Sequence, residues 1–191
     1  MSVSELSNNI IKLTEWANEY CIAISIKYRT DVKELSSDDL LDPVWYLGRK
    51  RDEAIRRIKA LISASEVIQD ELIEYNRVYI ETLFSITNEI DYLTSVRVCG
   101  ILVESQLLEV NRLSYLLSLN AKFFNESLDY YRFLDEDVGY YEIKDGNIYF
   151  ENDDDIDEMQ RRLLSMIKLQ EEMKLIDSYS LEVLKEKLKK V

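Results

Sequence analysis

The sequence predicts an all-α protein, a multi-helix bundle of about five or six helices with one short β-hairpin insertion near residues 139–151. Two observations lead to this prediction. The chain has one proline and four glycines among 191 residues, too few for the many tight turns of an all-β fold. Apolar residues recur three or four positions apart, as on the buried side of a helix. Since 47% of the residues are apolar, the chain can bury a core, and we expect a single helical domain over residues 1–191.

The first helix is predicted to begin near Ser4, with one apolar stripe formed by Leu6, Ile10, Leu13 and Ala17. A connection follows, marked by serines, aspartates and Pro43, a residue that suits the first turn of a helix. An amphipathic helix then extends to Ile62, with an apolar side and a basic side.

A long apolar seam lies between Ser65 and Leu93, without a glycine or proline to interrupt it; its members are Ile68, Leu72, Tyr75, Tyr79, Leu83, Ile86, Ile90 and Leu93. A seam of this kind needs partner helices, and it can pair with its own copy under two-fold symmetry. A homodimer is therefore one expectation. We predict a helix break near Gly100, because glycine loosens a helix. The apolar segment 101–134 is predicted to be the central helix.

The hairpin is predicted from two short β-favouring runs, "YYEI" and "NIYF", on either side of Asp145-Gly146. Asp-Gly is a dipeptide that supplies the positive φ angles of a tight hairpin turn. Helical spacing resumes with Ile156, and Ser180 is expected to cap a separate final short helix.

The chain contains no histidine. This composition excludes Ser-His-Asp triads, metal sites with histidine ligands and carboxylate-bridged di-iron sites that require histidine. Cys21 and Cys99 are expected to be small buried hydrophobes. The sequence therefore suggests no cofactor and no metal centre.

We expect a cytoplasmic protein without a membrane span. The most apolar stretch, 96–119, carries four charged residues, and the first residues lack the basic and apolar regions of a secretory signal.

The charge is unevenly distributed. Residues 135–158, the acidic hairpin segment, contain eleven acidic residues and one lysine, a local charge of −10 within a chain of −13. Residues 49–59 contain six basic and two acidic residues. The acidic hairpin segment is therefore treated as a possible appendage of the helical domain, and whether it pairs with the basic segment is left open.

The functional hypothesis is a non-catalytic cytoplasmic protein for protein–protein interaction or assembly, in which the acidic hairpin segment docks a basic partner. The residues expected to bind the partner are Tyr140, Tyr141, Ile143, Tyr149, Asp153, Asp154, Asp155 and Asp157, with Ile148 as a further apolar anchor. An alternative is that these charges only solvate a loop and a helix.

The sequence offers three other functional hypotheses. The carboxylates can imitate nucleic-acid phosphates and so inhibit a nucleic-acid-binding protein. Direct nucleic-acid binding would use Arg49, Lys50, Arg56 and Arg57, although the overall acidity argues against it. An all-α Mg²⁺-dependent phosphohydrolase would use Glu71, Glu74 and Asp91, but Asn88 breaks the required carboxylate pattern.

Overall fold

The computed structural model describes residues 2–28, 30–31, 51–137, 140–145 and 147–188. This part of the chain forms four α-helices, a short π-helical turn and one two-stranded hairpin. In chain order these are α1 (Val3–Tyr28), α2 (Arg51–Thr87), α3 (Tyr92–Arg132), the π-helical turn (Phe133–Asp137), β1 (Tyr141–Lys144), β2 (Asn147–Phe150) and α4 (Asp153–Leu188).

The centre of the fold is the antiparallel pair of α2 and α3. Near the connection between them, the Thr87 hydroxyl lies 3.2 Å from the Cys99 sulfur. At the opposite end, Arg51 in the first turn of α2 forms a salt bridge with Asp135 in the π-helical turn. Contacts at both ends hold the two long helices side by side, and their facing residues form most of the core.

The first helix packs against α2 in the antiparallel direction. The Tyr75 hydroxyl donates a hydrogen bond of 3.2 Å to the backbone oxygen of Ala17, and its ring stacks on Tyr20 with centroids 4.6 Å apart. The end of α1 also reaches α3, where Asn120 Nδ2 donates a 2.7 Å hydrogen bond to the Tyr28 hydroxyl. Helix α1 therefore contacts both members of the central pair.

The last helix packs mainly on the second half of α3, again in the antiparallel direction. The Ser127 hydroxyl donates to the sulfur of Met166 over 3.5 Å in the buried contact, and Arg162 Nη1 lies 3.3 Å from the backbone oxygen of Asp129. The central pair is therefore covered by α1 near α2 and by α4 near the end of α3.

The all-α class and the hairpin are confirmed, whereas the described residues contain four helices, fewer than the five or six predicted. Two predicted helices on either side of residues 62–65 are one continuous helix, α2, in which Ser65 is buried and its hydroxyl donates to the Leu61 carbonyl at 2.9 Å. Likewise Ser180 lies inside α4 and caps no separate helix. Pro43 and the predicted first connection lie outside the described residues.

The predicted break near Gly100 is wrong. The chain leaves the helix after Thr87 and enters α3 at Tyr92, while Gly100 lies within α3. The boundary is set by Asp91, whose carboxylate accepts a 3.0 Å hydrogen bond from the backbone N–H of Thr94 and thereby caps the new helix.

Only the part of the predicted seam that lies on α2 is buried in the core, since α2 ends at Thr87 and Leu93 is an exposed residue of α3. Its buried members are Ile68, Leu72, Tyr75, Tyr79 and Leu83, and they contact α1 and α3 of the same molecule. These residues are therefore not offered to a second copy.

Among the described helices, none has the length and apolar content needed to cross a bilayer.

The arrangement of α2 generates a stability prediction from two neighbouring residues. Leu72 is 1% exposed, whereas Ile73 is 61% exposed. We expect Leu72→Ala to lower the free energy of unfolding by about 2–5 kcal/mol, because it removes buried methyl groups and leaves a cavity. Ile73→Ala, the matched control, should change it by less than about 0.5 kcal/mol. Urea unfolding followed by circular dichroism measures both, and equal losses would contradict the packing of α2.

Candidate functional site

The hairpin carries the first part of the candidate site. Its strands pair antiparallel, with Tyr141 opposite Phe150 and Ile143 opposite Ile148. The turn begins at Asp145, whose φ of 53° lies in the left-handed region that a tight hairpin turn requires. Because side chains alternate along a strand, these four apolar residues share one side of the hairpin.

The apolar side of the hairpin packs on the helices. Tyr141, Ile148 and Phe150 contact the hydrophobic core, and the ring of Phe150 lies 6.4 Å from that of Phe133 in the π-helical turn. The guanidinium of Arg162 in α4 lies 5.1 Å from the centre of the Phe133 ring. A lone two-stranded hairpin is marginally stable in water, so this contact is what holds it in place.

The tyrosines predicted to bind a partner divide into two groups. Tyr141 faces the helices, and Ile143 lies half-buried on the same side. Tyr140 and Tyr149 remain exposed, at 58% and 53% of their surfaces. The hairpin therefore offers two exposed aromatic rings, while Tyr141, Ile148 and Phe150 contact the chain's own core.

Helix α4 supplies the carboxylates. Asn152 caps it, since its side-chain oxygen accepts a 3.1 Å hydrogen bond from the backbone N–H of Asp154. The first turn then carries three aspartates in a row, and Asp157 follows one turn later. Negative charge at this end of a helix is favoured by the unpaired backbone N–H groups. The positive N-terminal end of the α4 dipole therefore partly offsets the repulsion among these carboxylates.

Some acids of the acidic hairpin segment are neutralised within the fold. Asp135 pairs with Arg51, Glu142 with Lys144 over 2.7 Å, and Glu158 with Arg161 and with Arg162. The basic and acidic segments therefore meet, at Arg51 and Asp135.

The aspartates at the start of α4 are different. Asp153, Asp154 and Asp157 are exposed, and no described basic side chain forms a salt bridge with any of them. Together with Asp155, Tyr140 and Tyr149 they form what we call the acidic hairpin surface. This surface combines two aromatic rings with four negatively charged aspartates, none of which forms a salt bridge with a described residue.

Of the four basic residues predicted for direct nucleic-acid binding, the structure describes Arg56 and Arg57. Arg56 is exposed, and its Nε donates a 3.2 Å hydrogen bond to the backbone oxygen of Asp52. Arg57 is half-buried, and it is already engaged in a polar or electrostatic contact. Arg49 and Lys50 lie outside the described residues.

The three carboxylates of the phosphohydrolase alternative each have another partner. Glu71 pairs with Lys27, Glu74 pairs with Arg77 at 2.5 Å, and Asp91 caps α3. Hydrogen bonds from Arg77 lower the pKa of Glu74, and hydrogen bonds from Thr94 lower the pKa of Asp91. Across the described ranges, no group of three or more histidine, cysteine or acidic side chains is placed to hold a metal ion.

Sequence reasoning missed a polar cluster in the core around Tyr75. Gln106 Nε2 donates a hydrogen bond of 2.5 Å to the Tyr75 hydroxyl, and the thiol of Cys21 lies 3.5 Å from the same oxygen. Burial raises the pKa of Tyr75 far above that of an exposed tyrosine. The tyrosine therefore stays neutral and acts as a hydrogen-bonding hub. Its seam position gives no signal for this role, because the partners come from other helices.

A groove of about 430 Å³ also opens between α1 and α2, lined by the apolar residues Leu13, Trp16, Val78 and Ile86 and by the polar residues Asn9, Lys12 and Thr82. It contains none of the residues predicted to bind a partner.

Comparison of the chain with protein-family models, with curated proteins and with solved structures finds no match.

The cap at Asp91 generates a prediction about pH. Because its folded pKa is below the ordinary value, the ionised carboxylate stabilises the fold above the unfolded pKa, and this contribution is lost as the pH falls through the folded pKa. Asparagine also caps helices but does not titrate in this range. We therefore expect the melting temperature of wild type to exceed that of Asp91→Asn at neutral pH, with a difference that shrinks below about pH 4.

Asp91→Ala serves as the control for this measurement. It removes the cap at every pH, so its melting temperature should lie below that of Asp91→Asn throughout. A difference between wild type and Asp91→Asn that stays constant down to about pH 2 would show that ionised Asp91 does not stabilise α3.

Proposed function

We propose that this protein is a non-catalytic interaction protein and that its acidic hairpin surface docks a partner with a basic surface. The observation that supports this most directly is the pairing of the acids. The fold neutralises Asp135, Glu142 and Glu158 with its own arginines and lysine. It leaves Asp153, Asp154 and Asp157 exposed at the start of α4.

The two kinds of side chain on this surface have different roles in the proposal. Exposed carboxylates attract a basic partner over a distance and raise the rate of association. Tyrosines bury a large apolar area while keeping a polar hydroxyl, and they are enriched among the residues that dominate binding energy. Tyr140 and Tyr149, more than half exposed, are therefore the apolar anchors, and the aspartates form the charged rim.

The position of the surface also suits docking. The hairpin packs through Phe150 on Phe133 of the π-helical turn, and Arg162 of α4 lies over the same Phe133 ring. Its exposed tyrosines consequently lie on a supported element, and less conformational entropy is lost on binding than for a free loop.

Reversing the charge of the four aspartates tests whether they bind the partner. We expect replacement of Asp153, Asp154, Asp155 and Asp157 by lysine to lower the affinity for the native partner at least about tenfold, because attraction becomes repulsion. Tyr140→Ser with Tyr149→Ser should also weaken binding while leaving the salt dependence of association unchanged. Affinity capture from a lysate of the native host, followed by binding kinetics at several salt concentrations, measures both effects.

A matched variant controls for net charge. Glu15, Glu19, Glu66 and Asp70 are exposed carboxylates on α1 and α2, and their replacement by lysine changes the net charge equally without touching the hairpin. This variant should keep the partner. If the four-aspartate reversal retains the same partners as wild type, the proposed function is wrong.

The same experiment tests the nucleic-acid alternatives. If added DNA or RNA displaces the captured protein, the acidic surface occupies a nucleic-acid-binding site. A complex that instead disappears after nuclease treatment, with the aspartate reversal having no effect, indicates that the chain binds nucleic acid itself and contradicts the docking proposal.

A further inference from the structure

One face of α3 has no partner in the described part of the fold. Along the first half of this helix, Cys99 and Val103 face the core. The opposite side, which we call the open face of α3, consists of Leu93, Arg97, Gly100, Ile101, Glu104 and Leu108, all of them exposed. Apart from the adjacent Gly100 and Ile101, these positions are three or four residues apart, so they form one continuous stripe along the helix.

The open face is unusually apolar for a surface in contact with water. Leu93, Ile101 and Leu108 are each 69% exposed. Single exposed apolar residues need no explanation, but a row of them along one helix marks a surface for association. The row lies beyond the contacts that α3 makes with α1, α2 and α4 through its other sides.

The two charges on the open face are complementary to each other across a two-fold axis. Arg97 and Glu104 are seven residues apart, and neither forms a salt bridge in the described structure. If two copies of α3 cross antiparallel with the axis between Gly100 and Ile101, each residue faces the residue equally far on the other side of the axis. Arg97 then lies opposite Glu104 of the second copy, and the pair occurs twice.

The apolar residues follow the same symmetry. In this register Leu93 lies opposite Leu108 of the second copy, again twice, and Gly100 lies opposite Ile101. The same two-fold axis therefore pairs the leucines with each other and each arginine with a glutamate. It also places the small Gly100 against the branched side chain of Ile101. A parallel arrangement would instead place Arg97 against Arg97 and Glu104 against Glu104, which is repulsive.

Gly100 itself is an independent observation. Glycine inside a helix is destabilising relative to alanine. In the described part of the fold no neighbouring side chain requires a glycine here, because a Cβ at this position would meet no atom within 4 Å. Glycine lets the backbones of two helices approach closely, and here the axis of the antiparallel pair would pass beside it.

We propose that two copies of the chain associate through the open faces of their α3 helices, which cross antiparallel about a two-fold axis between Gly100 and Ile101. The partner on this surface is a second copy of the chain. This interface uses no residue of the acidic hairpin surface, so it stands or falls independently of the proposed function.

The test is a charge exchange measured by sedimentation velocity over a range of about 1 to 100 μM, which covers micromolar dimers. Wild type should show a monomer–dimer equilibrium. Arg97→Glu and Glu104→Arg should each raise the dimer dissociation constant at least about tenfold, since each change places like charges together twice. Combining them should restore it to within about threefold of wild type, because both pairs re-form with exchanged signs.

A matched pair on α2 controls for general charge effects. Lys59 and Glu66 are exposed and also seven residues apart, and Lys59→Glu with Glu66→Arg should leave dimerisation unchanged.

Gly100→Leu separates loss of the interface from loss of the fold. The added side chain enters open space within one chain, so the melting temperature of the monomer should not fall. The same side chain blocks the close approach of two helices, and dimerisation should be lost.

Two results would overturn the proposal. One is a wild-type chain that remains monomeric over the whole concentration range. The other is a dimer that persists in Arg97→Glu, Glu104→Arg and Gly100→Leu, which would place the contact between copies elsewhere.

Discussion

The fold depends on the burial of α2 between α1 and α3, and Tyr75 is the residue at which the three helices meet. Its ring stacks on Tyr20 of α1, and its hydroxyl donates to the Ala17 backbone while accepting from Gln106 of α3. A hydroxyl buried without partners costs free energy. The three helices can therefore satisfy this group only in one relative position, and the tyrosine fixes register as well as filling space.

The sequence was sufficient where the signal is local. The Asp145-Gly146 turn predicted the hairpin, and alternation along the strands already groups Tyr141 and Ile143 with Ile148 and Phe150 on one side. Tyr149 does not belong to that side, and treating all the tyrosines as one anchor overlooked this periodicity. The start of α3 also has a local signal, since Asp91 is a strong capping residue, whereas Gly100 is a misleading signal because α3 continues through it.

Other features could not be read from the sequence because they join distant segments. No local pattern indicates that Arg51 meets Asp135, or that Glu71 is occupied by Lys27. These pairs decide which charges remain on the surface. The candidate site is therefore smaller than the acidic composition suggests, and its extent depends on tertiary contacts that neutralise part of the segment.

The way α4 is attached has a consequence for local stability. Helix α4 packs mainly against α3 and the hairpin, while Tyr75 and the α1–α2–α3 contacts do not involve it. Partial unfolding often releases such a unit while the remainder stays native. Amide protons of β1, β2 and the start of α4 would then exchange with solvent together, at a lower opening free energy than those of α2. The acidic hairpin surface would then unfold as one cooperative unit, with its tyrosines and its aspartates released together.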